Sequence, residues 1–269
     1  MTPTEVKALL ANYGISPSKS KGQNFLLDEG IADREVSYLE IEPEDAVLEV
    51  GPGLGMLTMR VLPLASRTIC VELDRGVAGF IRERFEGKVE LIEGDALEVE
   101  LPPFSRFISN IPYSISSPLI FRILEHEFQR AVIMVQREFA DRMAAEPGSD
   151  DYSRLTVNTY YRAKCELLER VPRSKFWPQP EVDSTIVMLE PRPPPFEVDS
   201  ERFFLHLVKV LFQHRRKKIG TILRMTGQAP KDAIRSLPFV EERVEALSPE
   251  EIGALSDAIT DVQTRGRQR

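Results

Sequence analysis

The chain has 269 residues, 42% of them hydrophobic, enough for one large domain with a small appendage. No apolar run approaches the roughly 18 residues of a membrane span, and the N-terminus lacks the basic and apolar regions of a signal peptide. Net charge is −7, and the two cysteines (Cys70, Cys165) and three histidines (His126, His206, His214) are scattered, so no disulfide and no metal site is expected and a reducing cytoplasm is.

From about Asp45 to Glu190, short β-branched runs alternate with amphipathic stretches, the pattern of an α/β domain with a mostly parallel sheet. Strands are expected at Ala46–Val50, Thr68–Glu72, Val89–Glu93, Phe107–Ser109, Ala131–Val135, Glu166–Val171 and Thr185–Leu189, with helices at Leu54–Leu64 and Arg75–Phe85. The seven strands fit one sheet. No helix separates the last two, which predicts a hairpin and a reversed strand at one edge. Pro191-Arg192-Pro193-Pro194-Pro195 is a stiff extended linker, and Glu146–Asp151 reads as a surface loop. Beyond the linker the strand signal vanishes. Phe203–Phe212, Lys217–Met225 and Glu250–Ile259 read as helices, the last with Ser248 as cap and Pro249 in its first turn. The expected division is an α/β domain over residues 1–190 and a small all-α domain over 191–269.

Glu49-Val50-Gly51-Pro52-Gly53-Leu54-Gly55 follows the first strand, where glycines let the backbone approach a ligand. A dinucleotide fingerprint wants its third glycine three residues after the second, but Met56 stands there and the glycine comes at Gly55. No pyrophosphate needs cradling, which fits a nucleoside joined to an amino acid. Glu72, at the end of the second strand, is placed to accept from ribose hydroxyls. Asp95, after the third strand, could accept from an adenine amino group. Taken singly each acid is more often a cap or a solvated side chain; in one sheet order with the glycine turn they read as a binding set.

Asn110-Ile111-Pro112-Tyr113 follows the fourth strand. An aromatic amino nitrogen is a poor nucleophile because its lone pair is delocalised into the ring. Acceptors aimed at its hydrogens favour the tetrahedral shape needed for attack on a methyl group. The Asn110 oxygen and a carbonyl near Ile111 could supply them, with rigid Pro112 placing them and Tyr113 stacking on the base. A sulfonium methyl donor is already activated, so the task is positioning and electrostatics. Alone, the tetrapeptide would be a turn with a buried tyrosine; its place after four ordered strands points to S-adenosylmethionine as the donor.

Together these residues resemble the ribosomal RNA adenine N6,N6-dimethyltransferases, the dimethyladenosine transferases, above all their archaeal and eukaryotic-type members. The resemblance runs from about Ser20 to Ile259 and rests on Gly22–Leu26, Glu49–Gly55, Glu72, Gly94-Asp95-Ala96, Asn110–Tyr113 and Phe176–Ser184. It implies a Rossmann-like class I methyltransferase domain, with a seven-stranded mostly parallel sheet, and a helical RNA-recognition domain. By the same resemblance Gln23, Asn24 and Leu26 close over the cofactor's methionine end and Gly51 and Gly53 line its backbone side. Glu72 holds the ribose, Asp95 and Ala96 the adenine, and Asn110 touches cofactor and target amine. Phe176, in a stretch similar to the family's Phe-x-Pro-x-Pro-x-Val-x-Ser, would face the target adenine opposite Tyr113; on sequence alone it would be a core aromatic. The implied reaction dimethylates two adjacent adenosines in the 3′-terminal hairpin of small-subunit rRNA, in ribosome biogenesis.

Net acidity argues against tight binding to naked RNA. From His206 to Arg224, however, there are six Lys or Arg residues and no acid, including Arg215, Arg216, Lys217 and Lys218 at what resembles a basic helix start. Such a cluster attracts phosphate, and a solvated face is the plain alternative. Lys19 and Lys21 would extend the positive edge, and Arg265, Arg267 and Arg269 form a short basic tail. A monomer acting on rRNA within a ribosomal particle is expected. The competing readings are a large-subunit rRNA methyltransferase of the macrolide-resistance type and a non-catalytic assembly or transcription factor on the same fold. Met56 disfavours a nicotinamide oxidoreductase.

Overall fold

The computed structural model describes residues 2–15 and 23–267. Lys19, Lys21 and Gly22 of the N-terminal motif, and Arg269 of the basic tail, lie outside the described residues. The chain divides into two compact units, Met1–Ala140 with Lys164–Pro191, and Asp141–Ala163 with Arg192–Arg269.

The first unit begins with α1 (Pro3–Asn12), closed at its start by a reciprocal capping box between Thr2 and Glu5. A two-residue strand, β1 (Phe25–Leu26), leads to α2 (Glu29–Tyr38), whose N-cap Asp28 accepts from the Ile31 N–H at 3.1 Å. The α2 face formed by Ile31, Ala32, Glu35 and Val36 is buried. Four of those positions repeat at helical spacing, so a carboxyl is carried into the core by the same period that carries its apolar neighbours.

Then follow β2 (Ala46–Val50), α3 (Thr58–Val61), β3 (Arg67–Glu72), α4 (Arg75–Arg84), β4 (Glu90–Glu93), β5 (Arg106–Asn110), α5 (Ser116–Ile123) and β6 (Arg130–Gln136). After β6 come α6 (Arg137–Met143), α7 (Arg154–Arg162), β7 (Ala163–Val171), β8 (Phe176–Trp177) and β9 (Ser184–Pro191). Seven strands form one sheet in the order β4-β3-β2-β5-β6-β9-β7, and β1 pairs antiparallel with β8 in a separate two-stranded ribbon. The β4-β3-β2 and β2-β5-β6 pairs are all parallel, and β9 runs antiparallel to β6. The reversed strand is therefore one place in from the edge, where it fills the gap between β6 and β7, and β7 takes the edge itself. Strand order turns back at β2, between β3 and β5, which creates a crevice at the carboxyl ends of those strands.

The helix expected over Leu54–Leu64 shrinks to the four residues of α3. Gly55, at φ +74°, holds the chain in a left-handed turn before it, and Pro63 has no N–H with which to continue it.

The second unit contains α7, α8 (Glu201–Gln213), α9 (Ile219–Thr226) and α10 (Pro249–Arg267). Ser248 caps α10 reciprocally with Glu251 ahead of Pro249, as the sequence predicts. Tyr152, Val157 and Tyr161 pack into one apolar core with Phe204, Leu207 and Leu211 of α8, with the Tyr161 and Phe204 rings 4.9 Å apart. This core is why a cut at 190/191 misses the insertion: Asp141–Ala163 buries its apolar side chains with the helices that follow the linker.

Candidate active site

A cavity of about 250 Å³ opens at the carboxyl ends of the parallel strands in the first unit. Gln23, Asn24, Leu26, Gly51, Gly53, Glu72, Asp95, Ala96, Asn110 and Pro112 line it together. These residues come from β1, the turn after β2, the end of β3, the turn after β4 and the end of β5, so the sheet order brings together what lies up to 89 positions apart in sequence.

The glycine turn is built for close packing. Gly53, at φ +55°, would bring a Cβ within 3.3 Å of the Phe25 ring, and Gly55 would bring one within 2.5 Å of Phe85. Gly53 therefore lets β1 lie against the turn, and Gly55 seats the turn on the C-terminal end of α4.

Two acids in the cavity wall are nearly inaccessible. Glu49 is 1% exposed, accepts from the Thr58 hydroxyl at 2.6 Å and lies 3.9 Å from the Cys70 thiol. Burial, and to a lesser degree the charge of Glu72, pushes its pKa up to about 7 against the Thr58 hydrogen bond. Glu72 is 8% exposed and accepts from the Asp74 N–H at 2.8 Å. Burial pushes it up to about 7 as well, although backbone N–H groups including those of Asp74 and Gly53 favour its charged form. No described residue pairs a cation with either acid. Asp95 accepts from the Leu97 N–H at 2.8 Å, which fixes the turn that presents Ala96 to the cavity.

Asn110 ends β5, and the next residue, Ile111, donates its N–H to the Met134 carbonyl at 3.0 Å, which extends the β5–β6 pairing to the edge of the cavity. Beneath it Ser109 donates to the Val50 carbonyl at 2.6 Å and ties β5 to β2. Tyr113 is half-buried and its hydroxyl is 3.2 Å from that of Ser184; it does not line the cavity. Phe176 does not line it either. It is 6% exposed, paired with Leu26 across the β1–β8 ribbon, and packed with Ile31, Val36, Met134 and Ile186. Its ring is part of a buried cluster that also contains Leu26, the environment that sequence without the family resemblance would assign.

Sequence reasoning missed Glu35. With the Asn110 carboxamide nitrogen turned towards it, that nitrogen donates to the two Glu35 carboxyl oxygens at 2.8 and 3.2 Å. Its signal was there: Glu35 is the one acid on the buried stripe of α2.

In the second unit the basic cluster occupies the turn between α8 and α9 and leads into the start of α9, which begins at Ile219 with Lys218 as its N-cap. Arg215 is half-buried, with Nε 3.2 Å from Glu245 and two further bonds to the Asp150 carbonyl. Lys218 pairs with Glu241 at 2.8 Å. Acids distant in sequence thus compensate two of the four cations, and Arg216 and Lys217 are exposed.

A glycine turn too short for a pyrophosphate, opening a crevice at the β3/β2/β5 switch point, is the nucleoside-binding end of the Rossmann-like class I methyltransferase fold. Residues 16–260 match the ribosomal RNA adenine dimethylase family. The chain belongs to that family. It is 42% identical over 269 aligned residues to a Methanosarcina acetivorans protein named "Probable ribosomal RNA small subunit methyltransferase A", spanning 97% of this chain and 100% of that one. Among solved structures, a dimethyladenosine transferase from Plasmodium falciparum aligns with a TM-score of 0.76 at 32% identity, covering 90% of this chain and 98% of its own. The 23S rRNA methyltransferase ErmE aligns with a TM-score of 0.67 at 29% identity, covering 88% and 99%.

Proposed function

We propose that the cavity takes S-adenosylmethionine and that the chain dimethylates the N6 amino groups of two adjacent adenosines in the 3′-terminal hairpin of small-subunit rRNA. The observation that carries this reading is the position of Asn110 and Pro112 on the same cavity as Gly51, Gly53, Glu72 and Asp95. The donor set suits the cofactor: two buried acids with no cationic partner among the described residues favour a ligand that brings positive charge, and S-adenosylmethionine has both a sulfonium and an ammonium. When bound, it supplies an activated methyl group.

The chain's own residues do the rest. Glu72 accepts from ribose hydroxyls, Asp95 accepts from the adenine amino group beside Ala96, and Gln23, Asn24 and Leu26 cover the amino-acid end. Glu49 lies in the wall as a counter-charge. Asn110 Oδ1 accepts a hydrogen bond from the target amine as its nitrogen becomes tetrahedral, and Pro112 fixes the backbone that places a second acceptor. Tyr113, its hydroxyl near Ser184, offers its ring to the base, and Phe176, paired with Leu26 in the β1–β8 ribbon, lies against the target adenine opposite it. Arg216 and Lys217 contact RNA phosphates, while Arg215 and Lys218 chiefly hold the turn in shape. The chain works as a monomer on a ribosomal particle in the cytoplasm.

Greater likeness to small-subunit methyltransferases than to ErmE supports the small subunit as substrate. The test is incubation with methyl-labelled S-adenosylmethionine and either small or large ribosomal subunits lacking the modification. Label confined to the small subunit supports the reading, and label confined to the large subunit refutes it.

A further inference from the structure

A carboxamide has two ends of opposite character, and catalysis by Asn110 requires one of them. Its oxygen must face the target amine, because only the oxygen accepts; the nitrogen in that place would oppose the amine hydrogens with hydrogens of its own. Orientation is therefore a chemical choice that something in the protein must make.

Glu35 stands where the choice is made. It is 0% exposed on the inner face of α2, and its two oxygens lie 2.8 and 3.2 Å from the same terminal atom of the Asn110 side chain. An acid and an amide can form a two-armed pair, each using both ends, but here both oxygens address one atom. If that atom is nitrogen, an ionised Glu35 accepts from it, which leaves the oxygen for the cavity that Asn110 lines. If Glu35 is protonated, its O–H can donate to an oxygen in that position, and the nitrogen then faces the cavity. We propose that Glu35 is a positioning residue that sets which end of Asn110 meets the substrate, with the ionised carboxylate selecting the productive orientation. This inference rests on the acceptor role proposed for Asn110.

The surroundings make the linkage sensitive. Glu49 on β2 and Glu169 on β7 are the acids whose charges reach Glu35, and Glu169 is already engaged by Arg34 at 2.6 Å. The cations on and around α2 are likewise committed elsewhere: Arg60 of α3 to Asp33 and Glu29, and Arg130 of β6 to Glu40 and Glu190. No cation among the described residues pairs with Glu35. Burial first, then the two neighbouring acids, hold its carboxyl well above the ordinary carboxylate range. The ionised form of Glu35 therefore gains at higher pH than it would for an ordinary carboxylate. Cofactor binding near Glu49 also bears on the balance, because a cation bound there favours the ionised form of both acids.

The experiment measures kcat between pH 5.5 and 8.5 at saturating methyl-labelled S-adenosylmethionine, with small ribosomal subunits lacking the modification, for wild type, Glu35→Gln, Glu35→Leu and Asn110→Ala. Saturation separates turnover from cofactor binding, which Glu49 and Glu72 govern. The wild-type kcat is expected to rise with pH. Glu35→Gln, which cannot ionise and can meet either end of Asn110, is expected to lose that rise. Glu35→Leu is expected to lower kcat on the order of tenfold or more, as misplacement of a reacting contact does, with KM for the cofactor unchanged within about twofold. A Gln variant that keeps the wild-type pH limb, a wild type without one, or a Leu variant with wild-type kcat overturns the proposal. Should Glu35→Leu fail to fold, the Gln profile decides. Asn110→Ala separates the two levels: if it retains kcat, the acceptor role itself fails, whereas its inactivity beside an unaltered Gln profile removes only the role of Glu35.

Discussion

Thr58 Oγ1 donates to the Glu49 carboxylate at 2.6 Å, and this contact pulls the Glu49 pKa down while burial and Glu72 push it up. A cationic ligand beside Glu49 binds best to the ionised acid. Affinity for S-adenosylmethionine is therefore expected to rise from pH 6 to pH 8, across the value of about 7 held by Glu49 and Glu72. Thr58→Val removes the hydroxyl and should move the midpoint of that rise to higher pH. Calorimetric titration at several pH values measures it, and a pH-independent affinity in both proteins would contradict the assignment.

The same two acids shape the stability of the ligand-free protein. Both have an ordinary value of 4.5, and the fold raises each to about 7. The folded state therefore binds more protons than the unfolded chain across that window, and stability falls as pH rises through it. A tenfold change in proton affinity is about 1.4 kcal/mol, so the combined loss is on the order of several kcal/mol. Glu49→Gln and Glu72→Gln should each flatten the decline. Denaturant unfolding at pH 4.5, 6 and 7.5 is the check.

Gly55 is needed by the fold before it is needed by any ligand. Alanine there would adopt a positive φ and push its Cβ into the Phe85 ring. Gly55→Ala is expected to cost about 2–4 kcal/mol, from a left-handed backbone and an overpacked contact. Denaturant midpoints should register it, and the smaller side chain of Phe85→Leu should relieve part of the loss.

The basic turn divides into two pairs. Arg215 and Lys218 hold Glu245 and Glu241, so replacing them loosens the second unit as well as any RNA contact. Arg216 and Lys217 to Gln should weaken RNA association with little change in stability. If both meet phosphate, the slope of log affinity against log salt should flatten by roughly 1–2. An unchanged slope would make this turn a solvated surface.

Much of this architecture is legible in residue order. Ala46–Val50 reads as a strand from its apolar run, and so do the ends of β3 and β5, because buried parallel strands leave continuous apolar segments bounded by turns. The cavity follows from these strands, since Glu72, Asp95 and Asn110 stand at carboxyl ends that any such sheet brings together. What pairwise contact decides was not legible. The linker at Pro191 marks a change of composition, but only packing against Phe204 reveals that Tyr152, Val157 and Tyr161 belong beyond it. Glu241 and Glu245 neutralise cations some 23 to 30 positions away, which an inventory of one segment cannot detect. Glu35 lies on the buried stripe of α2, a helix not singled out from the sequence, and its meaning depends on Asn110 lying opposite, 75 residues later.

The most direct test of the central claim is nucleotide-resolved mapping of methyl groups after wild type and Asn110→Ala act on small subunits lacking the modification. The account predicts N6,N6-dimethyladenosine at two adjacent positions of the 3′-terminal hairpin with wild type. With Asn110→Ala it predicts a rate lower on the order of 10²–10³-fold, as expected when a preorganised polar contact to the transition state is removed, and cofactor affinity largely retained. Methylation at wild-type rate by Asn110→Ala, or methyl groups on a different base atom, would contradict it.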